Sequence, residues 1–272
     1  MFTLVLNNSD EANSLFSHIL NNFSLENIDI KNLENKITFS FDDFEKSCKT
    51  FSLFLTELII DLYEKKLIKK LIRKNYFYFD KHEQEQIADI SSSIIDENSQ
   101  SKKDLIFISV YDYVKSNSQM ILDGFVAFRL KDYIDVLDYL VDLSVNNYII
   151  NREYDKFINL LIDYIDHEPS KIDIINLVYL NQEAILLDKN KNIIPVNEDI
   201  LDAKYLSDIS FSNNDYVLNT ILDLLPNKLY VHILNEEDEF LATLKKIFKN
   251  RIILCYNCEI CNFYKNISNE KK

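Results

Sequence analysis

The chain has 272 residues, a formal net charge of −14, an apolar fraction of 47% and a single glycine, Gly124. An average chain of this length carries about 19 glycines at roughly 7% usage. Glycine-built phosphate loops, dinucleotide fingerprints and G-x-S-x-G nucleophile elbows are therefore excluded. So acidic a balance repels nucleic acid and anionic membrane as a whole, and leaves a local patch as the only route to either.

Phe2 to Leu6 reads as a short strand, and Ser9 and Asp10 as the cap of a helix carrying Leu15, Phe16, Ile19 and Leu20. Lys36 to Phe41 alternates polar and apolar residues, as a half-buried strand does. From Asp42 the period changes. Phe44, Cys48, Phe51, Leu55, Leu58 and Leu62 step by four and three, which predicts a long amphipathic helix with Cys48 as a buried small hydrophobe. The helix is expected to continue to Lys74. In its last part Leu67, Ile68, Leu71 and Ile72 share an arc of about 140°. Lys65, Lys66, Lys69, Lys70, Arg73 and Lys74 fill the rest. Such a face suits nucleic acid, an anionic lipid surface or an acidic partner groove, and it equally suits a solvated helix.

Asn75 to Phe79 (NYFYF) is aromatic and reads as a strand or a docking segment. A helix follows over Glu83–Ile95, and the polar run Asp96–Lys103, without an apolar anchor, reads as a linker. Leu105 to Ile165 is helical in pattern and ends before Pro169. Within it Asp132, Asp135, Asp138 and Asp142 read as a solvated acidic face, and Arg129 as the partner of Asp132 or Asp123.

Ile172–Leu180 and Ala184–Leu187 are β-prone runs around Asn181-Gln182, which predicts a hairpin, and Asp188–Asn192 reads as a polar turn. Ser207–Leu224 reads as helix. Lys228–Leu234, Glu236–Lys249 and Arg251–Cys255 then read as strand, helix and strand, a compact βαβ unit.

The chemistry-bearing motif is Cys255-Tyr-Asn-Cys258-Glu-Ile-Cys261. Thiolates spaced by two residues can reach one soft metal ion from a tight turn, and a structural zinc site takes four ligands. His232 is the expected fourth, because the βαβ unit sets its strand beside or close to Arg251–Cys255. Glu259, Cys48 and a ligand from a second subunit are weaker choices. An iron–sulfur cluster fits less well, since the ferredoxin run requires a fourth cysteine after three intervening residues, where Lys265 stands instead, and no proline follows. A redox Cys-x-x-Cys would gain from a following helix, and the tail after Cys261 carries little helical pattern. Three free thiols in an ordered turn are the remaining reading.

Gly124-Phe-Val-Ala-Phe-Arg-Leu-Lys-Asp-Tyr133 resembles the central motif of the sporulation protein YtxC family of endospore-forming Firmicutes. Arg152–Phe157, Leu186-Leu187-Asp188, Leu225–His232 and Asn250–Cys258 follow in the family's order, with Cys261 last. The resemblance covers Gly124 to Cys261. It implies a sporulation-linked role and brings no activity, substrate or catalytic residue with it. His232 and the three cysteines stand at family-like positions, while Asn257 stands where glycine is expected in relatives; Asn tolerates the left-handed turn.

The expected fold is α+β and predominantly helical, with a central helical block and a C-terminal βαβ unit ending in a CxxCxxC turn. The expected organisation is an N-terminal α+β region over 1–98 with the long amphipathic helix, a central helical region over 103–168 and a C-terminal α/β region over 169–272. Clustered cysteines suit reduced thiols in a cytoplasm, and no run approaches the roughly 20 apolar residues of a membrane span. The expected role is a cytoplasmic, non-enzymatic sporulation factor that acts on a protein partner, with zinc fixing the C-terminal turn. One alternative is a metal- or thiol-dependent redox enzyme using that turn. The other is a nucleic-acid or membrane-surface adaptor working through the basic helix 65–74.

Overall fold

The computed structural model describes residues 1–23, 28–97, 99–196, 212–234 and 236–270. The chain divides into two compact units, Met1–Asn151 and Arg152–Lys272. Its class is α+β and mainly helical, as the periodicities require.

The sheet of the first unit contains β1 (Phe2–Val5), β2 (Ile28–Leu33), β3 (Lys36–Phe41) and β4 (Gln119–Ile121), in the order β2-β3-β1-β4. β3 runs antiparallel to both β1 and β2, and β4 runs parallel to β1. In α1 (Ser9–Asn22) the cap lies one residue earlier than the sequence suggests: Asn8 accepts the N–H of Glu11. The stripe of α2 (Phe44–Asn75) packs as its spacing demands, with Cys48, Phe51, Leu55 and Leu58 buried. The Phe51 ring meets those of Phe2, Phe39 and Phe41 at centroid distances of 5.4, 5.0 and 4.9 Å. Buried Ser52 and Thr56 on the same helix donate to the carbonyls four residues back, which keeps their hydroxyls satisfied.

Three local expectations change. Residues 76–80 form a turn rather than a strand; Phe79 is buried with its ring 5.6 Å from that of Tyr148, while Phe77 and Tyr78 stay exposed. The polar run Asp96–Lys103 is not a linker, because α3 (Lys81–Glu97) and α4 (Ser99–Ser116) take up nearly all of it. Its anchor is a charge instead of an apolar side chain: Lys102 is 4% exposed and bonds Glu64 at 3.0 Å, and Tyr133 donates to the other Glu64 oxygen at 2.6 Å. Arg129, at the end of α5 (Leu122–Arg129), is exposed and lies over the Tyr113 ring. Asp123 instead accepts from Tyr63 and Asn7. In α6 (Lys131–His167) the acidic face is partly engaged, Asp138 by Asn75 and Asp142 by Tyr76.

The second unit holds β5 (Ile172–Leu180), β6 (Glu183–Leu187), β7 (Pro226–Ile233) and β8 (Ile252–Cys255), in the order β6-β5-β7-β8. β5 and β6 form the expected hairpin; Asn181 and Gln182 take positive φ of 52° and 66°, the hand that matches strand twist. α7 (Asn213–Leu224) begins with a capping box at Ser212 and Asp215, and the expected earlier start at residue 207 lies outside the described residues. β7, α8 (Glu239–Ile247) and β8 make the βαβ unit, with the two strands parallel. Ile158 and Ile165 of α6 join Val217, Ile221, Leu241 and Leu244 in a core against β5 and β7. The tail is also not featureless: α9 (Glu259–Glu270) follows the cysteine turn. Among the described residues, no helix is long and apolar enough to cross a membrane.

Candidate metal centre

Parallel pairing fixes the site. β7 and β8 align so that His232 faces Cys255 in the ladder, at the C-terminal ends of both strands. Ligand sites in α/β arrangements form at such strand ends. The chain then turns over 256–258. Cys258 occupies the position before α9, its carbonyl accepting the N–H of Asn262 at 2.9 Å, and Cys261 sits in the first helical turn. The turn is made without a left-handed residue at Asn257.

This brings four ligand atoms together. His232 Nδ1 lies 3.3 Å from Cys258 Sγ and 3.5 Å from Cys261 Sγ. Cys261 Sγ lies 3.6 Å from Cys258 Sγ and 3.8 Å from Cys255 Sγ. All four atoms fall within 4.8 Å of one another. Zn–S bonds of about 2.3 Å and Zn–N bonds of about 2.0 Å in a tetrahedron require S···S separations of about 3.8 Å and N···S of about 3.5 Å. Four of the six separations fit these values and the other two, both from Cys255, are within 4.8 Å, so the group can hold a metal ion and is compatible with zinc.

His232 is 3% exposed, and burial lowers its pKa below the usual histidine value. Its tautomer is fixed from behind. Asn176 on β5 donates its Nδ2 to the carbonyl of Asp188 at 3.2 Å, which turns its Oδ1 toward His232 Nε2, also at 3.2 Å. Nε2 therefore carries the proton and Nδ1 presents its lone pair to the thiols. Burial pushes the Cys261 thiol up to about 11. Burial acts the same way on Cys258, but the backbone N–H of Cys261 and the neighbouring thiols outweigh it, and its pKa falls below the usual thiol value. The helix that a lowered thiol requires is present in α9, contrary to the reading of a patternless tail.

The weaker ligand choices are not gathered here. Glu259 is exposed and pairs with Lys191 at 3.1 Å, and Cys48 lies in the core of the first unit.

A family model described as the YtxC-like family matches residues 49–253. The chain belongs to the YtxC-like family. "Uncharacterized protein YtxC" of Bacillus subtilis (strain 168) is 21% identical over 209 residues, which cover 73% of each chain. No solved structure matches. The YtxC-like match reaches much further toward the N-terminus than the Gly124 motif. It includes His232 and stops two residues before Cys255.

In this YtxC-like chain the basic residues of α2, Lys65, Lys66, Lys69, Lys70, Arg73 and Lys74, are all exposed. They do not form one uniform surface. Lys66 lies over the Tyr63 ring, while Lys69 and Arg73 line a cleft with residues of α3. Sequence reasoning missed Asn176; only the β5–β7 pairing, which sets Val178 beside His232, brings it to the site. It also missed His18, whose Nε2 lies 2.6 Å from Asp61 Oδ2.

Proposed function

We propose that this is a cytoplasmic sporulation protein that works by contact with a protein partner rather than by catalysis, and that zinc held by His232, Cys255, Cys258 and Cys261 fixes its C-terminal turn. The observation that carries the metal reading is the tetrahedral spacing of one imidazole nitrogen and three sulfurs. The ion would tie the end of β7, the end of β8 and the start of α9 to one point. Three thiolates with one imidazole form a complete structural donor set, which leaves no position for a substrate. That supports a structural role. Sulfurs 3.6 and 3.8 Å apart suit a single ion and favour zinc over a [4Fe–4S] cluster, where each thiolate takes its own iron. The sporulation assignment rests on the family resemblance, and the cytoplasmic one on four cysteines without a disulfide between them.

Elemental analysis of untagged protein, purified under reducing conditions without chelator, tests the metal. One zinc per chain is expected, with loss in Cys258→Ser. Heat-resistant spore counts test the role: deletion should lower them, and Cys258→Ser should lower them through loss of folding or of partner binding. A zinc-free, folded Cys258→Ser protein that restores sporulation overturns the reading.

A thiol redox enzyme is the second reading, favoured by the placement of Cys258 before α9. It requires turnover of a disulfide substrate by the metal-free protein. The adaptor reading requires that charge reversal at Lys66, Lys69 and Arg73 abolish lipid or nucleic-acid binding.

A further inference from the structure

The first unit carries a cleft of about 590 Å³ between the end of α2 and the start of α3. That size lies in the range of small-molecule sites. Its floor is apolar, made by Ile72 and Phe79, which are 1% and 6% exposed. The Phe77 ring stands beside it, 77% exposed. Three cations line the same cleft: Lys69 and Arg73, one turn apart on α2, and Lys81 in the first turn of α3. None of the three makes an ion pair among the described residues. Two carboxylates are also present. Asp80 accepts the backbone N–H of Glu83 at 2.9 Å, so its charge serves the helix start, and Glu85 lies one turn beyond Lys81.

An apolar floor, an open aromatic face and convergent unpaired cations ask for a ligand with a flat apolar part and several negative charges. We propose that this cleft binds a free nucleotide, its base on Phe77 and its phosphates on Lys69, Arg73 and Lys81. Base stacking on an aromatic ring and phosphate contact with Lys and Arg are the forces that hold nucleotides in general. A free nucleotide suits the site better than a polymer. The cleft has the volume of a single small molecule, and the net charge of −14 disfavours a long polyanion as a whole.

Calorimetric titration of the full chain with ATP, tripolyphosphate and adenosine at low salt tests this. ATP should bind, with tripolyphosphate and adenosine each weaker by about tenfold or more. Arg73→Glu and Lys69→Glu should each weaken ATP by about tenfold or more. Phe77→Ala should weaken ATP and leave tripolyphosphate unchanged. Lys65→Glu, on the same helix but outside the cleft, should leave ATP binding unchanged. All four side chains are exposed, so the fold tolerates these changes. Absence of ATP binding at millimolar concentration overturns the proposal. So does equal binding of tripolyphosphate, an equal effect of Lys65→Glu, or tighter binding of a single-stranded oligonucleotide than of ATP.

Discussion

His232 Nε2 stands 3.2 Å from Asn176 Oδ1, and this contact decides which imidazole nitrogen faces the cysteines. The order of cause runs from sheet register to chemistry. Parallel pairing of β5 with β7 sets Asn176 near His232, the Asp188 carbonyl orients the amide, and the amide orients the ring. Partners of this kind, one step behind a metal ligand, raise its basicity and fix its tautomer. Asn176→Leu should therefore lower zinc affinity by about 10- to 100-fold while leaving one site per chain. Competition with a chromophoric chelator measures it. Unchanged affinity would mean that the thiols alone hold the ring in place.

The buried group in the first unit should be stable only as a group. Lys102 and Glu64 are 4% and 12% exposed at their side chains, and Tyr133 completes the arrangement. Lys102→Met leaves a buried carboxylate without its cation and should cost about 3 kcal/mol. Adding Glu64→Leu should recover much of that loss, because the stranded charge is gone. Urea denaturation of the single and double variants gives the comparison.

Tyr179, 1% exposed, donates to Asp238, and burial with this carboxylate pushes its pKa up to about 12. The unfolded phenol titrates near 10. The folded state then holds its proton more tightly, so this stabilisation is complete below pH 10 and is lost as pH rises through about 12. The loss is on the order of 2 kcal/mol. Tyr179→Phe should flatten the stability profile over that window, as followed by denaturant titration at each pH.

The single glycine should be dispensable. Gly124 lies inside α5 and does not take positive φ, and an added Cβ would meet only Ile121 side-chain atoms at 3.7 and 3.8 Å, ordinary contact distances. Gly124→Ala should raise stability by about 0.5–1 kcal/mol through helix propensity and a less flexible unfolded chain. A thermal melt that falls instead would show that the position serves something beyond the backbone.

Legibility in the sequence followed the length of the pattern. The α2 stripe repeats over many turns, and the Asn181-Gln182 hairpin sits between strong β runs, so both could be read directly. β4 has only three residues, too few for any period. β2 alternates but is half-buried at best, and its alternation was masked by Asp29, Lys31 and Asn32. α9 escaped because the inward side of its first turn is formed by Ile260 and Cys261, and the cysteine reads as a ligand before it reads as a helix residue. The bodies of α3 and α4 could be read from their apolar spacing, but the end of one and the start of the other lie in a polar run whose anchor is the buried Lys102. At the site, the cysteine spacing and the βαβ pattern were local and visible. Asn176 was not, since its place depends on strand pairing across a long sequence gap.

X-ray absorption at the zinc edge tests the central claim most directly. The account predicts one ion per chain with three sulfur neighbours at about 2.3 Å and one nitrogen at about 2.0–2.1 Å, the nitrogen being lost in His232→Ala. A shell with an oxygen in place of the nitrogen, or a folded protein with no bound metal, would contradict it.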